Sequence, residues 1–265
     1  MKIYPLLLLI SLTTINASAQ ELEKVQQQIV LDFINTVKAN NKDSLSAKIS
    51  YPLGQTYPIT KITDKQDFTR RYSELFDEKL ISMIINSNPS VDWHAVGVRG
   101  IMLLNGILWL DYEGKLTGIN YKTAAGSKRM AELIEADRNR LHSSVKVFER
   151  PKVILETTSL RIRIDDLGSG NYRYASWPRK GSMKDKPDLV LMHGELIPDG
   201  SGGNHKYSFK DGEYAYECAI MNIADLSRIS PELVDILDIN TIPPAQLTVL
   251  KDENIILKEP AKILH

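Results

Sequence analysis

Cysteine is almost missing from this chain: among 265 residues, Cys218 alone carries a thiol. One thiol rules out an internal disulfide, so the fold has to rest on buried apolar side chains. The alternating context EYAYECAI reads Cys218 as a small core residue on a strand. Surplus charge is missing too, since 33 Lys and Arg stand against 33 Asp and Glu. Without a basic stripe there is no electrostatic footprint for nucleic acid, and no pull toward an anionic membrane surface. Metal-ligand spacing is absent as well. His94, His142, His193, His205 and His265 are scattered, and no two stand at i, i+4. No P-loop, nucleophile elbow, internal repeat or low-complexity segment occurs. The sequence therefore assigns no catalytic residue, no metal and no cofactor.

What is present begins with an address. Lys2 precedes an apolar run over residues 4–15 (YPLLLLISLTTI), and Ala17-Ser18-Ala19 supplies small residues before Gln20. That is the pattern of a secretory signal over residues 1–19 with an A-x-A cleavage site. The run is too short for a membrane span, which needs about 20 apolar residues. The expectation is a periplasmic or secreted protein that makes no membrane insertion after signal removal.

Apolar content of 43% with 25% charged residues is that of a soluble globular chain. Residues 20–122 start helical. Leu22, Val25, Ile29, Val30, Phe33, Ile34 and Val37 follow i, i+3, i+4 spacing, and a short helical piece covers Ser44 to Ile49. Asp64 is an N-cap for one longer helix carrying Phe68, Tyr72, Leu75, Phe76, Leu80, Met83 and Ile84 on a single face. Short strands follow over 96–104, 106–112 and 115–121, turning at Asn105-Gly106 and Glu113-Gly114. Helices followed by a meander predict an α+β domain, with helices on a curved, cone-like antiparallel sheet.

Residues 123–150 read as a connecting helix over 125–142, its charged face (Lys128, Arg129, Glu132, Glu135, Arg138, Arg140) solvated. Residues 151–265 read as β. Leu160 to Asp165 alternates strictly, and further strands are expected at Tyr172–Trp177, Asp188–Ile197, Lys206–Phe209, Tyr214–Ile220, Leu247–Leu250 and Ile255–Lys258. A small helix is expected between Ser230 and Leu237, where Pro231 takes the first position. Seven or so strands with frequent turns predict an antiparallel β-sandwich or half-barrel.

Two clusters are candidate sites. Tyr51, Tyr57, Tyr72, Trp93, Trp109 and Asp111 could line an apolar pocket of the first domain, with Asp111 as its acid. The bland reading puts Trp109 in the core and Asp111 at the start of a turn. The second cluster is the loop Asp199, Ser201, Gly202, Gly203, Asn204, His205 and Tyr207, whose glycines free backbone N–H groups for a partner. Its bland reading is a long hairpin turn that needs glycine for positive φ.

The order helix–helix–Tyr51-Pro52-Leu53–helix–meander, with Phe33, Phe68 to Phe76 and Gly106-Ile107-Leu108-Trp109, resembles the cystatin-like cone of the nuclear-transport-factor-2-like superfamily, as found in exported bacterial proteins of unknown function. The superfamily holds enzymes and binding modules alike, so the resemblance implies a fold more than an activity. Ser201 to Tyr207 resembles the Ser-Gly-rich loop of periplasmic lysozyme inhibitors, although those usually carry disulfides. Together these readings imply an exported bacterial envelope protein acting as a non-catalytic module for an unknown small molecule or an envelope protein. One alternative is a small-molecule hydrolase or isomerase using Asp111 in the cone pocket. Another is a periplasmic inhibitor or immunity protein acting through the 198–207 loop.

Overall fold

A computed structural model describes residues 20–199, 203–221 and 242–264. The signal segment 1–19, Ser201, Gly202 and the helix expected at 230–237 lie outside the described residues. In chain order the elements are β1 (Gln20–Glu21), α1 (Lys24–Lys38), α2 (Lys42–Ala47), α3 (Lys65–Arg70), α4 (Tyr72–Leu75), α5 (Glu78–Ile85), β2 (Trp93–Ala95), β3 (Ile101–Leu103), β4 (Leu108–Leu110), β5 (Leu116–Ile119) and α6 (Ala124–Arg138). Then come β6 (Arg150–Glu156), β7 (Leu160–Asp166), β8 (Tyr172–Pro178), β9 (Leu189–Asp199), β10 (Asn204–Asp211), β11 (Tyr214–Ile220), β12 (Ala245–Lys251) and β13 (Asn254–Ile263). They form two compact units. One holds residues 20–48 and 79–120, the other residues 49–78 and 121–264.

In the first unit, β1 to β5 pair in sequence order as an antiparallel sheet. Period-two alternation sorts its side chains. Trp93, Ala95, Ile101, Leu103, Leu108, Leu110 and Leu116 are buried, whereas His94, Met102 and Trp109, which are cross-strand neighbours, are only half-buried. Helix α1 buries Val30, Phe33, Ile34 and Val37 at helical spacing, each worth about 1.5–3 kcal/mol of burial. Its start is held by a capping box, in which Gln26 Oε1 accepts from Glu23 N at 2.9 Å. The Phe33 ring meets Trp93 edge-on at 6.3 Å. The single long helix expected from Asp64 is instead three short ones. Leu75 and Phe76 both bury, and consecutive residues point 100° apart on a helix, so the chain turns extended at Phe76 (φ −124°, ψ 131°).

In the second unit, β6 to β13 close into an eight-stranded antiparallel barrel. The expected sandwich or half-barrel is met only in its strands, because two of them serve both sides of the gap. Leu189–Gly194 of β9 pairs with β8, and Glu195–Asp199 with β10. At the far corner β13 leaves β12 after Ala261, and Lys262 and Ile263 pair with Glu156 and Leu155 of β6. The register of β9 against β8 shifts between Leu191 and Gly194, where His193 takes φ +60° and Gly194 lets the Phe209 ring lie on its backbone. A Cβ at residue 194 would run into Cε1 of the Phe209 ring.

The lumen is filled. Leu155, Ile162, Ile164, Tyr174, Tyr207, Phe209, Cys218 and Leu247 belong to one buried cluster. Tyr172 and Tyr207 meet edge-on at 5.1 Å, and Tyr174 tilts against Phe209 at 5.6 Å. On the outer wall, Ile134, Leu141, Val145 and Phe148 pack against Ala175 and Trp177 of β8.

Candidate functional site

The six residues expected to share a pocket are divided between the units: Trp93, Trp109 and Asp111 fall in the first, Tyr51, Tyr57 and Tyr72 in the second. Trp93 is a core residue whose Nε1 donates to Ser87 Oγ at 2.8 Å. Trp109 lies over Gly106 and donates to its carbonyl at 3.1 Å. Asp111 is committed to its own turn, its Oδ1 accepting from Glu113 N at 3.0 Å and Lys115 N at 2.8 Å. That is the Asx-turn use of a carboxylate. Tyr72 stacks on Phe76 at 5.3 Å and meets Phe68 edge-on. Burial, then Asp64 and Asp67, push the Tyr51 phenol up to about 12.

The 198–207 loop is the β9–β10 hairpin. Asp199 pairs with Asn204, Gly203 takes φ +84°, and the Gly203 carbonyl lies 3.0 Å from His205 Nδ1. Tyr207 points into the barrel and is 3% exposed.

A feature the sequence hid lies on the outer wall of the barrel. Arg163 and Asp165 occupy the outward positions of β7 yet are fully buried. Arg163 donates to Asp165 Oδ1 at 2.8 Å and to Asp137 Oδ2 of α6 at 2.6 Å. Arg173 bonds the other Asp165 oxygen at 2.6 Å and the carbonyls of Val145 and Val147. The Phe148 ring lies 4.8 Å from the Arg163 guanidinium and 5.0 Å from that of Arg138. Burial opposes the Arg163 charge, but Asp165 and Asp137 outweigh it and hold its proton more firmly. Tyr57 feels the same charges. Burial comes first, and Asp137 and Asp165 outweigh Arg163 and Arg140, so its phenol is pushed up to about 12. The cluster is closed to solvent at Arg163 and Asp165, which makes it a device of attachment between helix and barrel.

An open cleft of about 420 Å³ lies on the helical flank of the same unit. Three stretches of chain wall it: Pro58, Ile59 and Thr60; Arg70, Arg71 and Glu74; Arg129 and Leu133. Local chemistry sets their spacing. Thr123 caps α6 by accepting from Gly126 N at 2.9 Å, and donates its hydroxyl proton toward Glu74 O (2.9 Å) and Ser73 O (3.0 Å). Gly126 permits that approach, since a Cβ there would lie 2.6 Å from Glu74 O. Arg71, only 12% exposed, is held by Glu74 at 2.9 Å, the Thr60 carbonyl at 3.1 Å and Asp67 at 3.5 Å. Arg70 touches Asp67 through one nitrogen at 2.6 Å. Among the described residues Arg129 has a single ion-pair partner, Glu132 at 3.7 Å, which is beyond hydrogen-bond length.

The cleft passed unseen in the sequence because Arg129 reads as one charge on a solvated helix face. The adjacent Arg70-Arg71 was the one local signal. Among the described residues no group of three or more His, Cys, Asp or Glu is placed to hold a metal, and no helix is long and apolar enough to cross a membrane. Comparison of the chain with protein-family models, with curated proteins and with solved structures finds no match.

Proposed function

We propose that this is an exported bacterial envelope protein that works as a non-catalytic binding module, with the cleft between Thr60, Arg71 and Leu133 as its binding site. One observation carries the reading. A volume of about 420 Å³ with apolar and polar walls lies in the range of small-molecule sites. Two other positions are less suited. The barrel lumen is packed with Tyr174, Tyr207 and Phe209, and Asp111 is spent on its turn. Export rests on the signal pattern of residues 1–19.

Fractionation of cells producing the whole chain, with intact-mass analysis, tests the address. The expected species begins at Gln20 and leaves the cytosol. An unprocessed cytosolic chain overturns export. Native mass spectrometry of the exported protein, beside Leu133→Trp, tests the site. A small molecule carried by the first and lost from the second supports it, whereas equal retention by both removes the cleft from the reading.

A second reading, an inhibitor or immunity protein acting through the β9–β10 hairpin, draws on Leu196 and Ile197. Both are exposed near the end of β9, at 40% and 38%. Ile197→Asp should then abolish capture of an envelope protein that the parent chain retains.

A further inference from the structure

The charges on the cleft point to a ligand class. Its lining includes three arginines, Arg70, Arg71 and Arg129, against one acidic residue, Glu74; Asp67 and Glu132, which pair with these arginines, are not among its lining residues. The three arginines are not equivalent. Arg71 is held by Glu74, Thr60 and Asp67, so its charge is already met by carboxylates and it serves to brace the wall. Arg70 and Arg129, with side chains 77% and 48% exposed, keep most of their donors uncommitted. A guanidinium has five N–H donors; among the described residues Arg70 uses one of them on Asp67, and the Arg129 side chain makes no bond of hydrogen-bond length. Two such forks on one cleft match the oxygens of a carboxylate or phosphate. Pro58, Ile59 and Leu133 complete the lining with apolar surface that no anion alone would cover.

We infer that the cleft binds an organic anion: a carboxylate or phosphate group seated between Arg70 and Arg129, with an apolar body against Pro58, Ile59 and Leu133. The inference rests on the cleft being the binding site. Its polarity is its own claim, and excludes cationic and uncharged amphiphiles as preferred ligands. Charge-assisted bonds from a guanidinium are stronger than neutral ones and weaken with salt.

Isothermal titration calorimetry on the purified protein tests it with four probes: octanoate, octyl phosphate, octanol and inorganic phosphate. Either or both octyl anions should bind, and which one binds tells carboxylate from phosphate. Octanol and inorganic phosphate should each bind at least about tenfold more weakly than the better octyl anion. The pair Arg70→Ala with Arg129→Ala should weaken that anion by about tenfold or more and leave octanol unchanged. Both residues are exposed, so an unaltered urea midpoint verifies the variant fold. Arg70→Lys with Arg129→Lys, which keeps the charge and loses the fork, should recover part of the affinity. If octanol binds as well as octanoate and Leu133→Trp abolishes both, the cleft stands as a binding site and the anion assignment falls. If no probe binds, or binding survives Leu133→Trp, both fall.

Discussion

Asp137 of α6 and Arg163 of β7 meet at 2.6 Å, with the arginine wholly buried and the aspartate 14% exposed. Behind them Asp165 is shared by Arg163 and Arg173. Removing one partner of a buried charge cluster leaves the others uncompensated in a low-dielectric site. Asp165→Ala should therefore lower unfolding free energy by about 3–5 kcal/mol. The exposed pair Lys48–Asp32 makes the contrast, and Asp32→Ala should cost less than about 1 kcal/mol. Urea unfolding of both variants beside the parent decides between these magnitudes.

Gly194 is the corner at which β9 passes from one side of the barrel to the other. Gly194→Ala drives a Cβ into the Phe209 ring and should destabilise by about 1–3 kcal/mol through overpacking. Trimming the ring with Phe209→Leu in the same chain should recover part of the loss. A double-mutant cycle with no coupling between the two sites would contradict the corner packing.

Alkaline pH should weaken the fold in a defined window. Burial pushes the Cys218 thiol from 9.0 up to about 12, and burial with neighbouring charges takes Tyr51 and Tyr57 from 10.0 to about 12. Burial raises Tyr174 and Tyr207 as well. Each group holds its proton more tightly folded than unfolded. The stabilisation is complete below about pH 9 and declines as pH rises toward about 12. Tyr207→Phe removes one such group and should flatten the fall in urea midpoint between about pH 9 and 11. Cys218 is fully buried, so a thiol reagent should label the protein only in denaturant.

Asp111 holds its own turn through its carboxylate. Asn keeps an oxygen able to accept from Glu113 N and Lys115 N, so Asp111→Asn should change stability by less than about 1 kcal/mol. Asp111→Ala forfeits both bonds and should cost about 1–2 kcal/mol. Thermal melts of the two variants measure the difference, and equal melting points would remove the turn from the account.

Local signals read well where one periodicity ran unbroken. Val30, Phe33, Ile34 and Val37 mark the buried stripe of α1, and Leu160 to Asp165 marks β7 by alternation. The same alternation misleads about what lies outside the strand. Arg163 and Asp165 stand where a sandwich would meet water, yet Asp137 and Phe148 cover that wall. The run from Phe68 to Ile84 kept helical spacing across two breaks, since all three segments bury apolar residues and spacing alone does not record the turn at Phe76.

The sequence by itself determined the cystine-free core, the helix-then-strand order and the neutral charge balance, because these follow from composition and from contacts between near neighbours. Only the tertiary structure decided that β9 and β13 close the sheet, and that Arg129 comes to one cleft with Arg70 and Arg71, some 58 positions away in the chain. Closure and clustering depend on which distant segments meet, and no local pattern of side chains encodes that choice.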